Sequence, residues 1–360
     1  MTNRNTALSA FLLLFVLASL IFNQGCSTQN DHGEKPSHLQ RYKHDQLILK
    51  PTGEDDDFDS GMVDCFKVIM EYRGDSGDPY LFQKDGYYYA VYTGYDREKM
   101  MRSEGRYQLG LARSSDLVHW ERLGKILATG DDGKFDAGSV GAGIAIHWDN
   151  KFYMFYTGFA SEGYEQGAGK TGLAVSTDLQ SWERKGVVME PDTVYQWESA
   201  GLYQVYPMRH QDTFYLFYNA KNKKSNWREQ IGVATSQDLV HWEKYAGNPI
   251  VKTGGEGSWD SRFVADPWVI PIQGDWHMFY YGFDGTYARE GLATSPDLFH
   301  WEKSQWNPIL SEGKEGTFDA KYTHKPCVIE KDGVYYHYYT AVGSQGRCIA
   351  LATSQPLNKK

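Results

Sequence analysis

The stretch Ser115–Glu121, SDLVHWE, decides the fold, because near copies of it recur along the chain. The copies are TDLQSWE at Thr177–Glu183, QDLVHWE at Gln237–Glu243, PDLFHWE at Pro296–Glu302 and a shortened SQPL at Ser354–Leu357. Their tryptophans recur roughly every 60 residues, a period that is long for a solenoid and suits a four-stranded propeller blade. Each copy therefore marks one blade.

Each copy follows a short apolar run, such as Leu109–Ala112 or Ile231–Ala234. This order predicts a strand that ends in an Asx-type turn, in which the aspartate caps backbone donors and the Leu and Trp side chains fold back onto the blade. Because the acid recurs in all four full-length copies, Asp116 and its equivalents are predicted to be structural and not catalytic.

A second repeated element, upstream of each copy, is a strand rich in Tyr and Phe. Its copies are Tyr87–Gly94, Phe152–Gly158, Phe214–Tyr218, Trp276–Gly282 and Val334–Thr340. Turn dipeptides such as Asp85-Gly86 and Asp332-Gly333 precede them, as in β-hairpins. The sequence therefore predicts an all-β fold, a five-bladed β-propeller of four-stranded antiparallel blades.

The amino-terminal 25 residues have the pattern of a secretory signal, with Arg4 followed by an apolar run over residues 7–22. The run is short for a membrane span. Gly25-Cys26 then matches the processing site of a bacterial lipoprotein. We expect an exported protein of the periplasm, outer membrane or cell surface, held to the membrane by a lipid on Cys26; ordinary secretion is the alternative.

Residues 27–57 are polar and include an acidic run at 54–57, which is typical of a tether. Within them, Gln46–Pro51 resembles the outer-strand segments Asn248–Val251 and Asn307–Leu310. The last blade lacks such a segment, so residues 46–51 are predicted to supply it and to close the ring. Residues 58–360 form the predicted propeller domain.

The composition excludes some partners. With 37 basic and 46 acidic side chains the net charge is −9, which gives no reason to expect nucleic acid. No Cys-x-x-Cys or His-Glu-x-x-His pattern is present, so no metal or other cofactor is expected, and only a structural cation in the channel stays open. Cys327 and Cys348 fall in one predicted blade and are candidates for a disulfide.

The inner strand of each blade faces the propeller axis, so residues at its entrance converge on one pocket. Counting back from the hairpin turns aligns five segments: Asp78–Phe82, Gly143-Ile144, Gln204-Val205, Asp266–Val269 and Lys325–Val328. In this register Asp78 and Asp266 are equivalent. Two carboxylates at the inner rim of different blades suit glycoside hydrolysis, one as acid and one as base or nucleophile.

With these motifs, residues 58–357 resemble the five-bladed propeller glycosidases of glycoside hydrolase family 43 and its relatives in families 32, 62, 68 and 117. The resemblance implies that Asp78, in Asp78-Pro79, is the base or nucleophile. The family 43 Asp-Pro of blade three and Glu of blade four have no counterpart here, where the chain has Gln204-Val205 and Ala265–Pro267.

Three residues are candidates for the missing acid. Glu198 has copies at Asp136, Asp260 and Asp319, which favours a structural repeat. Asp266 is a candidate acid or capping residue. His324 lies where family 117 uses a histidine, although a hydrogen-bonded structural histidine is the alternative.

Blade one offers a second register. Phe58–Ile69 matches the blade-five segment that begins at Phe318, and this match places Asp64 near the rim as a reserve base.

Basic and aromatic side chains near these positions are candidates for sugar binding. Arg73, Arg262 and Lys325 suit sugar hydroxyls or an anionic sugar, or ion pairs with the acids. Trp268 and Tyr322 complete the predicted substrate-binding set.

The sequence thus predicts an exported, lipid-anchored glycosidase that trims a plant or algal glycan from a chain end. Asp78 is its expected general base. The resemblance to families 43 and 117 implies inversion, whereas a nucleophile as in family 32 would give retention. Two alternatives remain, a glycoside phosphorylase of the family 130 type and a non-catalytic glycan-binding lipoprotein.

Overall fold

A computed structural model describes residues 35–357, apart from residues 56, 75–77, 97–104, 164, 193, 195 and 223–226. Within these ranges the regular secondary structure is all β-strand except for one 3-10 turn at Ser37–Leu39, and turns and irregular segments connect the strands. The strands belong to one compact unit, Ser37–Lys360. No helix in the described ranges has the length and apolarity that a membrane span needs. The predicted signal and Cys26 lie outside the described residues.

The strands form five successive antiparallel units, each with a long inner strand and an aromatic second strand. A short strand, β1 (Tyr42–Lys43), precedes them. Unit one contains β2 (Met62–Val68), β3 (Met70–Tyr72), β4 (Pro79–Leu81), β5 (Gln83–Lys84), β6 (Tyr87–Tyr95), β7 (Tyr107–Ser114) and β8 (Glu121–Leu127). Unit two contains β9 (Ser139–Trp148), β10 (Lys151–Phe159), β11 (Lys170–Ser176) and β12 (Glu183–Met189).

The remaining units repeat this order. Unit three contains β13 (Gly201–His210), β14 (Thr213–Lys221), β15 (Glu229–Ser236) and β16 (Glu243–Lys244). Unit four contains β17 (Phe263–Ile272), β18 (Asp275–Phe283), β19 (Ala288–Ser295) and β20 (Glu302–Lys303). Unit five contains β21 (Tyr322–Lys331), β22 (Val334–Gly343) and β23 (Gly346–Thr353). Single parallel pairs, Glu229 with Phe263 and Ala288 with Tyr322, join units three to five into one 12-stranded sheet.

Unit five takes its outer edge from the start of the described chain. β1 pairs antiparallel with β23, and Leu49 bridges Ile349 in the way that Val251 bridges Ile231 in unit three. Residues 46–51 were predicted to take this place. Leu49 does so, and the pairing begins earlier than predicted, at β1.

The predicted Asx turns are confirmed. Asp116 Oδ1 accepts hydrogen bonds from the backbone N–H groups of Val118 and His119, at 2.9 and 2.8 Å. The copies at Asp178, Asp238 and Asp297 make the same pair of bonds. Since these carboxylates cap backbone donors in all four full-length copies, they serve the fold.

A buried acid also recurs once in each unit. The acids are Asp59, Asp136, Glu198, Asp260 and Asp319, and their cationic partners are Arg122, Arg184, Lys244, Lys303 and Lys43 respectively. Four of the acids also accept a hydrogen bond from a second-strand tyrosine. In unit five the cation, Lys43, comes from β1. The amino-terminal segment thus supplies the charge that the other units take from their own outer strands.

A buried polar cluster fixes the same segment between units four and five. Arg41 Nε donates to His337 Nδ1 at 2.7 Å, so the ring proton of this histidine is on Nε2, which donates to Glu290. Glu290 bridges the outer edge at the point where units three and five place isoleucine. Burial raises the pKa of Glu290 well above its usual value and lowers that of His337.

Replacing Arg41 by alanine is therefore expected to lower the free energy of unfolding by about 3 kcal/mol, because it leaves His337 and Glu290 buried without their cation. Urea denaturation measures this change. Arg73→Ala, which removes an exposed arginine, is the matched control and is expected to change stability by less than about 0.5 kcal/mol. Equal stability of Arg41→Ala and wild type would contradict the assigned role of the cluster.

Candidate active site

The inner strands share one irregularity, which builds the site. In each unit two successive inner-strand residues lie outside the regular pairing with the second strand, as in a β-bulge. The first of the two is Cys65, Ala142, Tyr203, Asp266 or Lys325 in units one to five. All but Tyr203 have a positive φ, between 49° and 64°. The five bulge residues line one cavity.

Four carboxylates line this cavity: Asp64, Glu165, Glu229 and Asp266. Three of them are nearly fully buried, and Glu165 exposes about a quarter of its side chain. Carboxylates brought together away from water interact strongly, so the charge state of each depends on the cations beside it. Two lysines, Lys325 and Lys221, divide the four acids into two pairs.

Asp64 is the ionised member of the first pair. Its Oδ1 accepts hydrogen bonds from Cys65 N and Thr340 Oγ1, at 2.9 and 2.8 Å. Its Oδ2 lies 2.8 Å from Arg347 Nη1 and 3.7 Å from Lys325 Nζ. Burial alone would raise the pKa of Asp64, but the two cations hold it well below its usual value. The group is therefore a carboxylate over the whole working pH range.

Asp266 is the protonatable member. Its Oδ2 lies 3.5 Å from Lys325 Nζ, and among the described residues it has no hydrogen-bond partner. Burial raises the pKa of Asp266 despite Lys325. Because both Oδ2 atoms face one ammonium group, they lie at most about 7 Å apart. A raised and a lowered pKa at adjacent carboxyls is the arrangement of an acid and base pair.

The second pair has the same design. Lys221 Nζ lies 2.5 Å from Glu165 and 3.1 Å from Glu229. Asn219 Nδ2 also donates to Glu229 Oε2 at 2.7 Å. Burial raises the pKa of Glu229, whereas Lys221 outweighs burial at Glu165 and lowers its pKa. The cavity thus holds two carboxyl pairs, each bridged by a lysine.

Sequence reasoning missed the second pair. Glu229 begins its strand where the other units have Tyr107, Lys170, Ala288 and Gly346, so a lone acid outside the repeat was the available signal. Glu165 lies in the connection between β10 and β11, which has no repeated pattern. The sequence contained no signal for it.

The register that placed Asp78 at the inner rim is wrong. β4, which begins at Pro79, pairs with β3, and β3 runs beside the carboxyl end of β9 at Glu71–His147. Ala142 lies near the amino end of β9, so Asp78 is exposed at the opposite end of the fold from the cavity. The inner strand ends at Val68, and an additional hairpin follows it. Because of this hairpin, counting back from Asp85-Gly86 does not reach the inner strand. The reserve residue Asp64 lies in the cavity instead. In units two and three the predicted register is one residue late, at Gly143 and Gln204.

Glu198 belongs to the repeated buried acids. It accepts hydrogen bonds from Asp192 N at 2.9 Å and Tyr218 Oη at 3.1 Å and pairs with Lys244 at 2.6 Å. It is absent from the cavity lining. These contacts support the structural alternative.

Glu198→Ala is therefore expected to cost about 3 kcal/mol of folding free energy, since Lys244 and Tyr218 lose a buried partner, while the kcat of the folded fraction stays near that of wild type. Asp260→Ala, its equivalent in unit four, is expected to behave in the same way. Thermal unfolding and turnover below the unfolding transition measure the two effects. A stable Glu198 variant without turnover would overturn the structural role.

His324 lies behind Asp64 and does not line the cavity. Its Nδ1 donates to the Thr340 carbonyl at 2.8 Å, so Nε2 accepts from Arg347 Nη1 at 3.1 Å. Burial holds the pKa of His324 well below its usual value. The neutral ring positions Arg347, which in turn contacts Asp64.

The predicted sugar-binding residues are dispersed. Lys325 lines the cavity. Tyr322 packs against His324, and Arg262 borders a separate groove. The prediction for Trp268 is wrong, because its side chain is fully buried and donates to the Val328 carbonyl. Arg73 pairs with Glu71 at the Asp78 end, so its predicted place at the rim is wrong.

Cysteine and histidine side chains build neither a metal centre nor a disulfide in the described part of the chain. These residues contain no cluster of three His, Cys, Asp or Glu side chains suited to a metal ion. Cys65, Cys327 and Cys348 are free thiols, so the candidate disulfide between the last two is not formed.

A model of the glycosyl hydrolases family 32 N-terminal domain matches residues 78–171 and 159–305. The chain belongs to this family, and so to the glycosidases. The match starts at Asp78, although the structure places that residue away from the cavity.

Individual relatives agree with this class. The chain is 26% identical over 249 residues to the uncharacterized protein MT1551 of Mycobacterium tuberculosis, covering 66% of this chain and 80% of the relative. It is 30% identical over 164 residues to the sucrose-6-phosphate hydrolase of Bacillus subtilis, covering 45% of this chain and 32% of that protein. It is 28% identical over 124 residues to the 1,2-beta-oligomannan phosphorylase of a Thermoanaerobacter species, covering 32% and 41%. The chain thus spans less than half the length of these two enzymes.

Among solved structures, BT0996 in a complex with RGII superposes on the chain with a TM-score of 0.75 at 25% identity. The superposition covers 90% of this chain and 94% of that protein.

Proposed function

We propose that the protein hydrolyses a glycosidic bond in the cavity where the inner strands meet, with Asp266 as general acid and Asp64 as general base. The observation that carries this proposal is that two buried carboxyls from different units line one cavity on either side of Lys325, and their opposed pKa shifts agree with the two roles. Asp266 would protonate the departing oxygen, and ionised Asp64 would accept a proton from the attacking water. Asp64 thereby replaces Asp78 as the base.

Inversion and chain-end cleavage are part of the proposal. The carboxyl separation of at most about 7 Å is compatible with the lower part of the range for inverting enzymes, roughly 6.5–9.5 Å, and with the roughly 5–5.5 Å of retaining enzymes. The proposal of inversion therefore rests on the resemblance to families 43 and 117. Cleavage at a chain end is proposed from the sequence alone. A plant or algal glycan remains the proposed source of the substrate.

The arrangement of the five units supports a further part of the proposal. We take them as the blades of one ring that the amino-terminal strand closes through Lys43 and Leu49. Export and a lipid on Cys26 remain proposals from the sequence.

A phosphorylase is the second candidate, because cations suited to phosphate surround the cavity. Lys325, Lys221 and Arg347 each contact a carboxylate of the cavity. Such an enzyme needs only one protein carboxyl, and phosphate takes the place of water as nucleophile.

The test is turnover of a panel of aryl glycosides and plant and algal oligosaccharides by the wild-type protein, with and without inorganic phosphate. We expect phosphate-independent release of a terminal sugar with inverted anomeric configuration, followed by NMR. Turnover only with phosphate would replace hydrolysis by phosphorolysis. Binding without turnover on every glycan would favour the non-catalytic alternative.

A further inference from the structure

An open groove lies beside the cavity, between units three and four. Arg228, Glu256, Ser261 and Arg262 line it. The Arg262 carbonyl accepts a hydrogen bond from the backbone N–H of Glu229, at 3.3 Å. Because Glu229 itself lines the cavity, the groove and the cavity are direct neighbours.

Two arginines give the groove its charge. Both Arg228 and Arg262 are exposed, and no carboxylate of the described residues forms an ion pair with either guanidinium. The Arg262 guanidinium lies over the Phe263 and Phe283 rings, at 5.6 and 6.0 Å, which fixes its direction. Glu256 is the one acid of the lining. Planar guanidinium groups bind carboxylate and sulfate oxygens in a bidentate way.

An exposed tryptophan lies close to the groove. Trp227 leaves 51% of its surface in solvent, and its φ is 38°, which is uncommon for a bulky residue. Lys221 Nζ lies 5.9 Å from its ring and 6.0 Å from the Phe263 ring. Trp227 therefore lies beside Lys221, the lysine of the second carboxyl pair, and directly precedes Arg228 in the chain. An indole face in this place is suited to the apolar C–H face of a sugar ring.

We propose that Trp227, Arg228 and Arg262 form a second subsite that binds an acidic sugar unit of the substrate, next to the sugar held in the cavity. The inference rests on the proposed function and names its substrate class, a glycan that carries carboxylate or sulfate groups. Trp227 stacks on the ring of this unit, and the two guanidinium groups bind its anionic oxygens.

Binding to an array of acidic oligosaccharides tests the subsite. The probes are oligogalacturonides and sulfated galacto-oligosaccharides, each with its methyl-esterified or desulfated neutral counterpart, and the protein carries Asp64→Asn to prevent turnover. We expect an acidic probe to bind at least about tenfold more tightly than its neutral counterpart. The two acidic probes distinguish carboxylate from sulfate.

Variants assign the contacts. The double change Arg228→Gln, Arg262→Gln is expected to abolish the preference for the acidic probe, whereas Arg73→Gln, at the opposite end of the fold, leaves it intact. Trp227→Ala is expected to weaken the binding of acidic and neutral probes by the same factor, since stacking does not depend on charge. Equal binding of charged and neutral probes, no binding of any acidic probe, or an acidic preference that survives the double change would each overturn the inference.

Measuring hydrolysis distinguishes a failure of the acidic subsite from a failure of the proposed function. Turnover of neutral glycans alone would remove the acidic subsite and leave the glycosidase standing. Binding of acidic probes by a protein that hydrolyses no glycan would support the acidic subsite and contradict the proposed hydrolase function.

Discussion

Asp64→Asn is expected to reduce kcat about a thousandfold on the substrate that the panel identifies. The amide retains the shape of the side chain and can still accept hydrogen bonds from Cys65 N and Thr340 Oγ1. It cannot take a proton from water, so the base is lost. Arg347 and Lys325 also lose their anion, and circular dichroism should therefore confirm that the variant is folded before its kinetics are measured.

Asp78→Asn is the matched control, an identical change at the opposite end of unit one. Its kcat and KM are expected to equal those of wild type, because the exposed Asp78 lies far from the cavity. If kcat collapses in Asp78→Asn and is retained in Asp64→Asn, the base has been assigned to the wrong carboxylate.

Asp266→Asn is expected to produce a loss that depends on the leaving group. A natural glycan needs a proton at its departing oxygen, so its kcat/KM should fall by roughly a hundredfold or more. A 2,4-dinitrophenyl glycoside has a leaving group that needs little protonation, so its kcat/KM should fall far less. A uniform loss on both substrates would argue against Asp266 as the acid.

The pH profile gives a second readout of the same pair. Activity needs Asp266 protonated and Asp64 ionised. The rate should therefore fall on the alkaline side as pH passes through the raised pKa of Asp266, and on the acidic side only where Asp64 takes up a proton. Asp266→Asn should remove the alkaline fall.

Glu229→Gln is the control for the second carboxyl pair. Its buried carboxyl also has a raised pKa, with Lys221 beside it. We expect this variant to bind substrate less well without the leaving-group dependence. If the loss of activity depends on the leaving group in Glu229→Gln and not in Asp266→Asn, the general acid belongs to the second pair.

The repeated elements could be predicted from the sequence because each one has a local cause. An Asx turn at Asp116 needs only its own neighbours, and the aromatic strands alternate as hairpin strands do. The place of Leu49 followed from its similarity to segments elsewhere in the chain. Repetition also identified Glu198 as one of four equivalent acids, to which the structure adds Asp59 as the fifth.

The site could be predicted only in part, because its geometry depends on departures from the repeat. The additional hairpin β3–β4 shifted the register of unit one and exchanged Asp64 for Asp78. Asp266 and Lys325 were placed correctly, since units four and five have no insertion in their inner strands. Glu165 reaches the cavity from a connection with no repeated pattern, and its partner Lys221 is far from it in sequence.

The burial of Trp268 could not be predicted from the sequence either. Trp268 follows the bulge of unit four and was predicted to meet substrate. In the structure it packs against Tyr206 of unit three, with ring centroids 4.8 Å apart, and is fully buried. The side to which an aromatic residue turns after a bulge depends on the backbone geometry there, which the residue pattern does not encode.

A crystal structure of Asp64→Asn with its identified glycan bound is the measurement that bears most directly on the cavity as the active centre. We predict that the terminal sugar lies between residues 64 and 266, with the glycosidic oxygen within hydrogen-bond distance of Asp266 and the glycan leaving past Trp227. A sugar bound at the Asp78 end, with the cavity containing only water, would contradict the assignment.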